Sequence, residues 1–281
     1  MSYIWKPTRE IIEKANVTRL MRKLGYVVAA DKPEKVAEEA RSFIKRTQKH
    51  TEWFWQEALA DLGIEWNKPY SKILDKSKGN AWADWFIGGE TNIALNCVGK
   101  WVSGTGSQVS GQKPKPDTRN PIPDTVALIS ETEDGQVRSF TFAQLDENVC
   151  RVANALKECG IKRGDTVACY MPMVAEVVFA MLATQKIGAI FIPIFSGYAP
   201  PAVRERLEDA QVKVLFTADG SMRRGQPFSI KEQADEAVKG LACIKRVIVF
   251  ERLSGSGVGG LGSGKGKSQD PKPKTLNPAS Q

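Results

Sequence analysis

A regular alternation of strand-like and helix-like segments between residues 124 and 250 limits the possible folds more than any other feature of this sequence. Residues 190–194 are a continuous apolar run, which is expected of a strand whose two faces are both covered. Residues 174–186 are strongly apolar over the length of a helix, and Gly188 ends that segment. A chain that repeats this order folds as an α/β domain with a largely parallel sheet.

Local signals place the other elements of this alternation. The Asp134-Gly135 pair predicts a hairpin turn. Thr141 and Gln144 predict a capping box at the start of a helix that Gly160 ends. We predict strands at residues 125–130, 137–141, 166–171, 212–217 and 246–250, and helices at residues 142–159, 200–210 and 230–239.

The first part of the chain is predicted to be helical and aromatic. A helix is expected to begin at Pro33, since apolar residues then recur on one face. That face carries Val36, Ala40, Phe43 and Ile44. A second helix is predicted at residues 52–62, where Gly63 ends it. The tryptophan-rich segment that follows contains recurring Gly and Pro, so we predict an ordered coil there.

These patterns divide the chain into three regions. Residues 1–112 are a helical, aromatic extension, and residues 113–253 are the first part of the α/β domain. The Gly, Ser, Lys and Pro content of residues 103–124 is typical of a linker between them. Residues 254–281 have few apolar residues and no periodicity, so this tail is expected to be disordered.

The net charge of +8 has two explanations. An excess of positive charge is common in nucleic-acid-binding proteins. No basic run is interleaved with aromatic residues, so we favour lysines spread over solvated faces and expect no nucleic-acid partner. The single histidine, His50, has no ligand set around it, and no metal site is expected. No apolar run approaches the roughly 20 residues that span a bilayer, and no signal peptide is identified, so no membrane partner is expected.

The cysteines indicate a reducing compartment. Their number, five, is odd, and no two have CxxC spacing. Cys150 and Cys159 stand at the two ends of one predicted helix, and Cys169 lies in a predicted strand. This arrangement is typical of reduced core thiols in a cytoplasmic protein. No Ser–His or Cys–His arrangement is present, so no catalytic residue is assigned.

The tail contains sequences similar to phosphate-binding loops. Gly255, Gly257 and Gly260 match G-x-G-x-x-G after a predicted strand. In a dinucleotide-binding fold such a loop opens a helix, whose N-terminus holds the pyrophosphate. No helix is predicted here, and the Gly-Lys-Ser sequence at 266–268 lacks the first Walker A glycine, because Leu261 stands there. An NAD-linked oxidoreductase therefore remains only as a third alternative.

Ordered sequence blocks between about residues 50 and 250 resemble one family. The first block contains Trp85, Phe86, Ile87, Gly88 and Gly89, followed by Asn92, Asn96 and Cys97. Later blocks lie at 140–145, 152–156, 163–168, 171–173, 187–189, 195–198, 206–210 and 217–219. Together they resemble the acetyl-CoA synthetase-like enzymes of the adenylate-forming superfamily. The block at 85–89 is expected to pack the N-terminal extension onto the α/β domain.

This resemblance implies a fold and an activity. The fold is an incomplete N-terminal domain of an adenylate-forming acyl-CoA synthetase, α/β with a largely parallel sheet, after a helical Trp-rich extension. In the family reaction a carboxylate attacks the α-phosphate of ATP, and the thiol of coenzyme A (CoA) then displaces AMP from the acyl-adenylate. ATP with Mg and CoA are the implied cofactors, and acetate or another short-chain carboxylate is the implied substrate.

The resemblance places two segments against the nucleotide end of CoA. The first contains Phe195, Ser196 and Gly197, and the second contains Arg223, Arg224, Gly225 and Gln226. Arginine suits phosphate recognition, and glycine lets a backbone approach an adenine. Ser196 replaces a usual glycine and Gln226 a common arginine, for which Arg224 is expected to compensate. A core aromatic and a solvated loop charge are the alternative explanations of Phe195 and Arg223.

The family's ATP loop, rich in Gly, Ser and Thr and ending in Pro-Lys, does not occur in this sequence, nor does its lid lysine. No ATP-binding residue is assigned for that reason. We expect a truncated, frame-shifted or naturally split family member that is inactive alone, with a separate chain carrying the rest of the enzyme. The alternative is a non-catalytic binding or interaction fragment that retains part of the CoA surface.

Overall fold

The structure, a computed structural model, describes residues 7–29, 31–103, 123–133, 135–223, 225–253 and 274–276. These residues form two compact units, one ending at Thr91 and the other beginning at Asn92. The predicted domain boundaries at residues 112 and 253 fall in or beside segments outside the described residues, so they stay predictions. Arg224 and the glycine-rich motifs at 255–260 and 266–268 also lie outside the described residues.

The first unit is helical with one short hairpin. Both predicted helices are confirmed, and Gly63 ends the second of them with a left-handed φ of 60°. The segment predicted as coil instead contains two antiparallel strands that pair Leu74 with Trp85. The helices are α1 (Arg9–Lys14), α2 (Asn16–Lys23), α3 (Pro33–Lys49) and α4 (Thr51–Leu62), and the strands are β1 (Lys72–Asp75) and β2 (Asp84–Ile87).

The core of the first unit lies between α2 and α3. Leu20, Met21 and Phe43 are buried there, and Val36 and Ala40 pack against them. Ile44 was predicted on the same face, but 52% of it is exposed. The prediction was wrong at Ile44 because it follows Phe43 by about 100° around the helix and lies at the margin of the apolar stripe.

The motif at residues 85–89 forms the centre of an aromatic cluster. The ring centroid of Phe86 lies 5.4 Å from the centroids of both Trp66 and Tyr70. Phe86 has a positive φ of 49°, and a Cβ atom on Gly89 would lie 2.8 Å from Trp66. The motif therefore fixes the local packing of the first unit, while its predicted role in joining the two domains stays a prediction.

The second unit contains the predicted alternation. A π-helical turn at Leu95–Gly99 leads into α5 (Lys100–Ser103), and the predicted elements follow with ends within two residues of those expected. The helices are α6 (Phe142–Glu158), α7 (Ala175–Lys186), α8 (Pro200–Asp209) and α9 (Ile230–Val238). The strands are β3 (Val126–Glu131), β4 (Val137–Thr141), β5 (Thr166–Tyr170), β6 (Ile190–Pro193), β7 (Val214–Ala218), β8 (Ser221–Arg223), β9 (Gln226–Phe228), β10 (Arg246–Phe250) and β11 (Lys274–Leu276).

The predicted capping box opens α6. The Thr141 Oγ1 atom accepts a hydrogen bond from the Gln144 backbone at 3.3 Å, and Gln144 Oε1 accepts one from the Thr141 backbone at 2.9 Å. Two N–H groups that the helix leaves unpaired are satisfied in this way. The box therefore fixes the point at which the chain leaves β4 and enters the helix.

The main sheet has the strand order β11-β10-β7-β5-β6. Strands β10, β7, β5 and β6 are parallel, which confirms the predicted fold class. Strand β11 pairs antiparallel with β10. The tail was expected to be disordered, yet its residues Lys274–Leu276 form this edge strand, since Thr275 and Leu276 tolerate an extended backbone and the edge of β10 offers unpaired groups.

The core of the second unit lies on both faces of the sheet. Val167, Val214 and Leu215 in the central strands are fully buried. Helix α6 packs against α7, and α8 packs against α9. This burial explains why the strands read as continuous apolar runs. Among the described residues, no helix is long and apolar enough to cross a membrane.

The strand order defines where a ligand is expected. From β5 the chain moves to β6 on one side, and then returns past β5 to β7 on the other side. The order of winding therefore reverses between β5 and β7. Open α/β sheets bind ligands outside the carboxyl ends of their strands, beside such a reversal. The segments that follow these strands at 171–173, 194–197, 219–220 and 251–253 are here named the carboxyl edge.

Candidate functional site

Large apolar side chains are exposed at the carboxyl edge. Met173, which follows β5, is 86% exposed, and Phe195, which follows β6, is 68% exposed. Tyr198 in the same loop is 38% exposed. Large exposed apolar side chains often mark a binding site, especially at the carboxyl ends of parallel strands. The carboxyl edge is therefore the candidate site.

The loop after β6 is a tight turn that presents an aromatic ring. The Tyr198 backbone N–H donates to the Phe195 carbonyl at 3.0 Å, and the two rings meet edge to face at 5.6 Å. A Cβ atom on Gly197 would lie only 2.5 Å from the Phe195 ring. Glycine at this position therefore leaves room for the Phe195 ring in its observed orientation. The predicted residues Phe195, Ser196 and Gly197 all lie in this one turn.

A buried tyrosine anchors the loop. Tyr170, the last residue of β5, is fully buried, and its hydroxyl donates to the Tyr198 carbonyl at 2.8 Å. Burial raises the pKa of the Tyr170 phenol, so it remains a neutral donor at physiological pH. The loop after β6 is thus tied to the neighbouring strand by a polar contact that sequence reasoning missed.

A cation lies over the same loop. The Arg206 guanidinium carbon is 4.4 Å from the centroid of the Tyr198 ring, within the range of a cation–π contact. Arg206 belongs to α8, where it also donates to the Ala202 carbonyl at 2.7 Å. Arg206 lies in the family-like sequence block at 206–210, but no sequence signal indicates that it faces Tyr198. It adds positive charge beside the exposed aromatic ring.

The second predicted segment forms a hairpin after β7. Strands β8 and β9 pair Ser221 with Phe228 and Arg223 with Gln226. Gly225 lies in the connection between them with a φ of 75°, a conformation that favours glycine. Arg223, Gly225 and Gln226 are therefore brought together at the tip of one hairpin, which is here named the β8–β9 hairpin.

The two predicted segments flank one strand. The loop containing Phe195 follows β6, the β8–β9 hairpin follows β7, and β5 lies between these strands. Neighbouring strands are about 4.8 Å apart, so the two segments leave the sheet about 10 Å from each other. An exposed aromatic ring and a glycine-containing turn with arginine in its sequence suit a planar base and anionic phosphates.

Titratable groups elsewhere in the second unit have structural roles. Burial raises the pKa of the Cys169 thiol to about 12, so it is not a nucleophile at neutral pH. At the opposite edge of the sheet, a hydrogen bond from Lys213 lowers the pKa of Asp165. Cys97 was expected to be a core thiol but is exposed, because it lies on the outer side of the π-helical turn whose Val98 is buried. Within the ranges that the structure describes, no group of three or more His, Cys, Asp or Glu side chains could hold a metal ion.

Two family models match this chain. The model "Acetyl-coenzyme A synthetase N-terminus" matches residues 40–97. The model "AMP-binding enzyme" matches residues 117–280, which extends beyond the change of sequence pattern near residue 254. The two matches together include both the aromatic cluster of the first unit and the whole parallel sheet of the second.

Curated relatives agree with the family models. An acetyl-coenzyme A synthetase of Deinococcus radiodurans is 40% identical over 71% of this chain and 28% of its own length. One from Pasteurella multocida is 35% identical over 89% of this chain and 33% of its own length. The chain therefore spans about a third of the length of these relatives.

A solved structure has the same fold. The acetoacetyl-CoA synthetase from Streptomyces lividans matches 99% of this chain and 40% of its own, with a TM-score of 0.71 and 21% sequence identity. The family model "AMP-binding enzyme" matches more than half of the residues, in agreement with the parallel sheet and the ordered motifs. The chain belongs to the AMP-binding enzyme family, in its AMP-forming, acetyl-CoA synthetase-like branch.

Proposed function

We propose that this chain supplies the CoA-nucleotide surface of an AMP-forming acyl-CoA synthetase. The full reaction converts acetate or another short-chain carboxylate, ATP and CoA into acyl-CoA, AMP and pyrophosphate. The observation that carries this proposal is the position of the Phe195 loop and the β8–β9 hairpin on one edge of the sheet, on either side of β5. Membership of the family supports CoA as the ligand of this edge.

Each segment has a separate task in this proposal. The exposed face of Phe195 stacks on the adenine of CoA, while Gly197 keeps the turn tight enough to present that face. Arg223 and Arg224 neutralise the phosphates in this proposal, and Gly225 permits the turn between the strands. CoA then supplies the thiol whose sulfur attacks the acyl carbon as AMP leaves. ATP with Mg activates the carboxylate in the whole enzyme, and we assign no residue of this chain to it.

We also propose that these 281 residues do not catalyse the reaction alone. Their sequence lacks the glycine-rich phosphate loop and the lid lysine, so charge that develops on the phosphates of ATP would not be neutralised. The test is ATP–pyrophosphate exchange with acetate or propionate, for which we expect no rate above the protein-free blank. Robust exchange by this chain would contradict the proposal.

A second candidate function is a non-catalytic binding or interaction fragment. It is favoured by a parallel sheet whose carboxyl edge presents both the Phe195 loop and the β8–β9 hairpin. A separate chain with the rest of the enzyme is the partner for such a fragment. Addition of that polypeptide would restore exchange if the chain is one part of a split enzyme, and would leave it at zero if the chain only binds.

Calorimetry with CoA tests the surface shared by both candidates. We expect Arg223→Ala to weaken the affinity about tenfold, which corresponds to about 1.4 kcal/mol. The matched control is Arg151→Ala, which removes an exposed arginine of α6 that pairs with Glu147 on the same helix. Equal binding by wild type and Arg223→Ala would show that Arg223 does not contribute to the site. Absence of binding by wild type would refute the proposed CoA surface.

Two further proposals concern organisation and location. The domain division at residues 1–112, 113–253 and 254–281 is proposed, with the two compact units as partial support. A cytoplasmic location is proposed because all five cysteines are free, which is typical of reducing compartments. Limited proteolysis followed by mass spectrometry tests the first proposal, and cell fractionation tests the second.

A further inference from the structure

A cluster of polar contacts holds the base of the β8–β9 hairpin. The Asp219 carboxylate, just after β7, accepts hydrogen bonds from the backbone N–H groups of Gly220 and Arg252 at 2.7 Å, and from that of Leu253 at 3.1 Å. The Asp219 backbone N–H in turn donates to the Phe250 carbonyl at 2.9 Å. The chain segments that leave β7 and β10 are thereby tied together at the carboxyl edge.

The side chain of Arg252 extends this cluster to the hairpin itself. Its Nη1 atom donates to Ser221 Oγ at 3.1 Å, and its Nη2 atom pairs with the Glu133 carboxylate. Only 11% of the Arg252 side chain is exposed, whereas 54% of Glu133 is exposed. A guanidinium with two partners in a fixed fork geometry orients both of them, which a flexible surface lysine does not.

The hydrogen bond from Arg252 to Ser221 acts at the base of the β8–β9 hairpin. Ser221 is the first residue of β8, and its partner Phe228 is the last residue of β9, so Arg252 acts on the base of the hairpin. The tip with Arg223 and Gln226 lies two residues further along, or about 7 Å at the rise of a strand. A small rotation at the base therefore displaces the tip, because a two-stranded hairpin with no further strands has little stability of its own.

We propose that Arg252 is a positioning residue: by joining Ser221 and Glu133, it holds the β8–β9 hairpin in the orientation in which its tip binds the phosphates of CoA. This inference rests on the proposed function, since CoA is the ligand that the tip would receive. Arg252 itself does not contact the ligand. Its positive charge is directed at Glu133 and its contribution to binding is geometric.

Two measurements on the full chain test the inference. Hydrogen exchange reports how often the hairpin opens in the absence of ligand, and calorimetry reports the affinity for CoA. We expect Arg252→Met to accelerate exchange of the hairpin amides about tenfold, to leave exchange in β5 unchanged, and to weaken CoA binding about tenfold. Arg252→Lys is expected to restore the charge but only part of the protection, because an ammonium group lacks the fork. Arg151→Met on α6 is the matched control.

Glu133→Ala separates positioning from simple charge. Removal of this carboxylate makes the carboxyl edge more positive, so a purely electrostatic role of the cluster predicts tighter binding of an anion. Positioning predicts the opposite, a loss of about threefold together with faster hairpin exchange, because Arg252 then has one anchor fewer. Tighter binding by Glu133→Ala would overturn the inference.

The remaining outcomes distinguish this inference from the proposed function. If wild type binds CoA and Arg252→Met binds it equally well, the positioning role is wrong while the CoA surface stands. If affinity falls but hairpin exchange does not change, Arg252 contacts the ligand directly and positioning is likewise wrong. If wild type does not bind CoA, the proposed function fails, and unchanged exchange in Arg252→Met would then refute the structural part as well.

Discussion

A methyl group at Gly220 tests the packing beneath the β8–β9 hairpin. Gly220 is buried, and a Cβ atom there would lie 2.2 Å from Leu253 Cδ1 and 3.1 Å from the Phe228 carbonyl oxygen. Carbon atoms in ordinary contact are about 3.5–4.0 Å apart, so Leu253 has to move by roughly 1.5 Å. Overpacking costs about 1–3 kcal/mol. We expect the lower end of that range, about 1 kcal/mol, since the clashing Leu253 methyl is at the end of a flexible side chain.

A double-mutant cycle identifies the source of that cost. In a Leu253→Ala background the clashing methyl groups are absent, so Gly220→Ala should lose less than about 0.5 kcal/mol there. Urea unfolding followed by far-UV circular dichroism gives the four free energies of unfolding. Gly99→Ala is the matched control, because a Cβ at Gly99 meets its nearest side-chain atom at 3.5 Å, an ordinary contact.

Two results would refute this reasoning. Gly220→Ala as stable as wild type would mean that the hairpin base has room for a methyl group. An equal loss in both backgrounds would mean that Leu253 is not the cause, and would direct attention to the Phe228 carbonyl instead. The expected energy corresponds to a thermal midpoint about 2–4 °C lower in Gly220→Ala than in wild type. In the Leu253→Ala background, the same substitution should lower the midpoint by less.

Three further predictions concern the site and the thiols. Gly197→Ala should weaken CoA binding about tenfold in calorimetry without lowering the melting temperature, since its Cβ displaces only the exposed Phe195 ring; unchanged affinity would exclude that ring from the site. The pKa of about 12 leaves the buried Cys169 thiol almost wholly protonated at pH 8, whereas Cys97 is exposed to the reagent. Iodoacetamide should therefore label Cys97 and spare Cys169, and comparable labelling by peptide mass spectrometry would contradict this. Because the hydrogen bond from Lys213 lowers the pKa of folded Asp165 below its unfolded value, the carboxylate stabilises the fold above about pH 4 and that contribution disappears as the pH falls through the folded pKa. Urea midpoints of wild type and Asp165→Asn should therefore differ by a constant amount from pH 5 to 7 and converge below pH 4, and a difference that grows at low pH would be the wrong sign.

The elements of the parallel sheet were predictable because each carries a local signal. Thr141 and Gln144 form a capping box that depends only on residues three positions apart. The strands β5, β7 and β10 are buried on both faces, so burial selects apolar side chains at most positions. Their carboxyl ends then meet at one edge for geometric reasons, which is why the loop of Phe195 was predicted to be a candidate for ligand contact.

The β1–β2 and β8–β9 hairpins were not predictable in the same way. Strands β8 and β9 have three residues each, too few for an alternating pattern, and β1 and β2 have four. Pairing of such short strands is decided by contacts made elsewhere. Arg252, for example, contacts Ser221 across 31 positions and Glu133 across 119 positions of the chain. No local pattern encodes a hydrogen bond at such separations.

Within the candidate site, sequence motifs identified residues that we propose to face a ligand, but not the residues that support them. Phe195 and Gly197 belong to a motif, whereas Tyr170 reads as one more apolar residue of a predicted strand. Its hydroxyl bond to the Tyr198 carbonyl depends on β5 and β6 being neighbours, which is a property of the sheet. The same holds for Arg206, whose cation–π contact needs α8 to follow the loop at the correct angle.

The bond from Tyr170 to Tyr198 has a consequence for the thermodynamics of association. A loop that is free in solution loses conformational entropy when a ligand orders it, at about 1–2 kcal/mol for each residue that becomes fixed. Here the buried hydroxyl orders the turn when the protein folds, before any ligand arrives. A base that stacks on Phe195 thus meets a preorganised surface, and little of its binding enthalpy is offset by ordering of the loop.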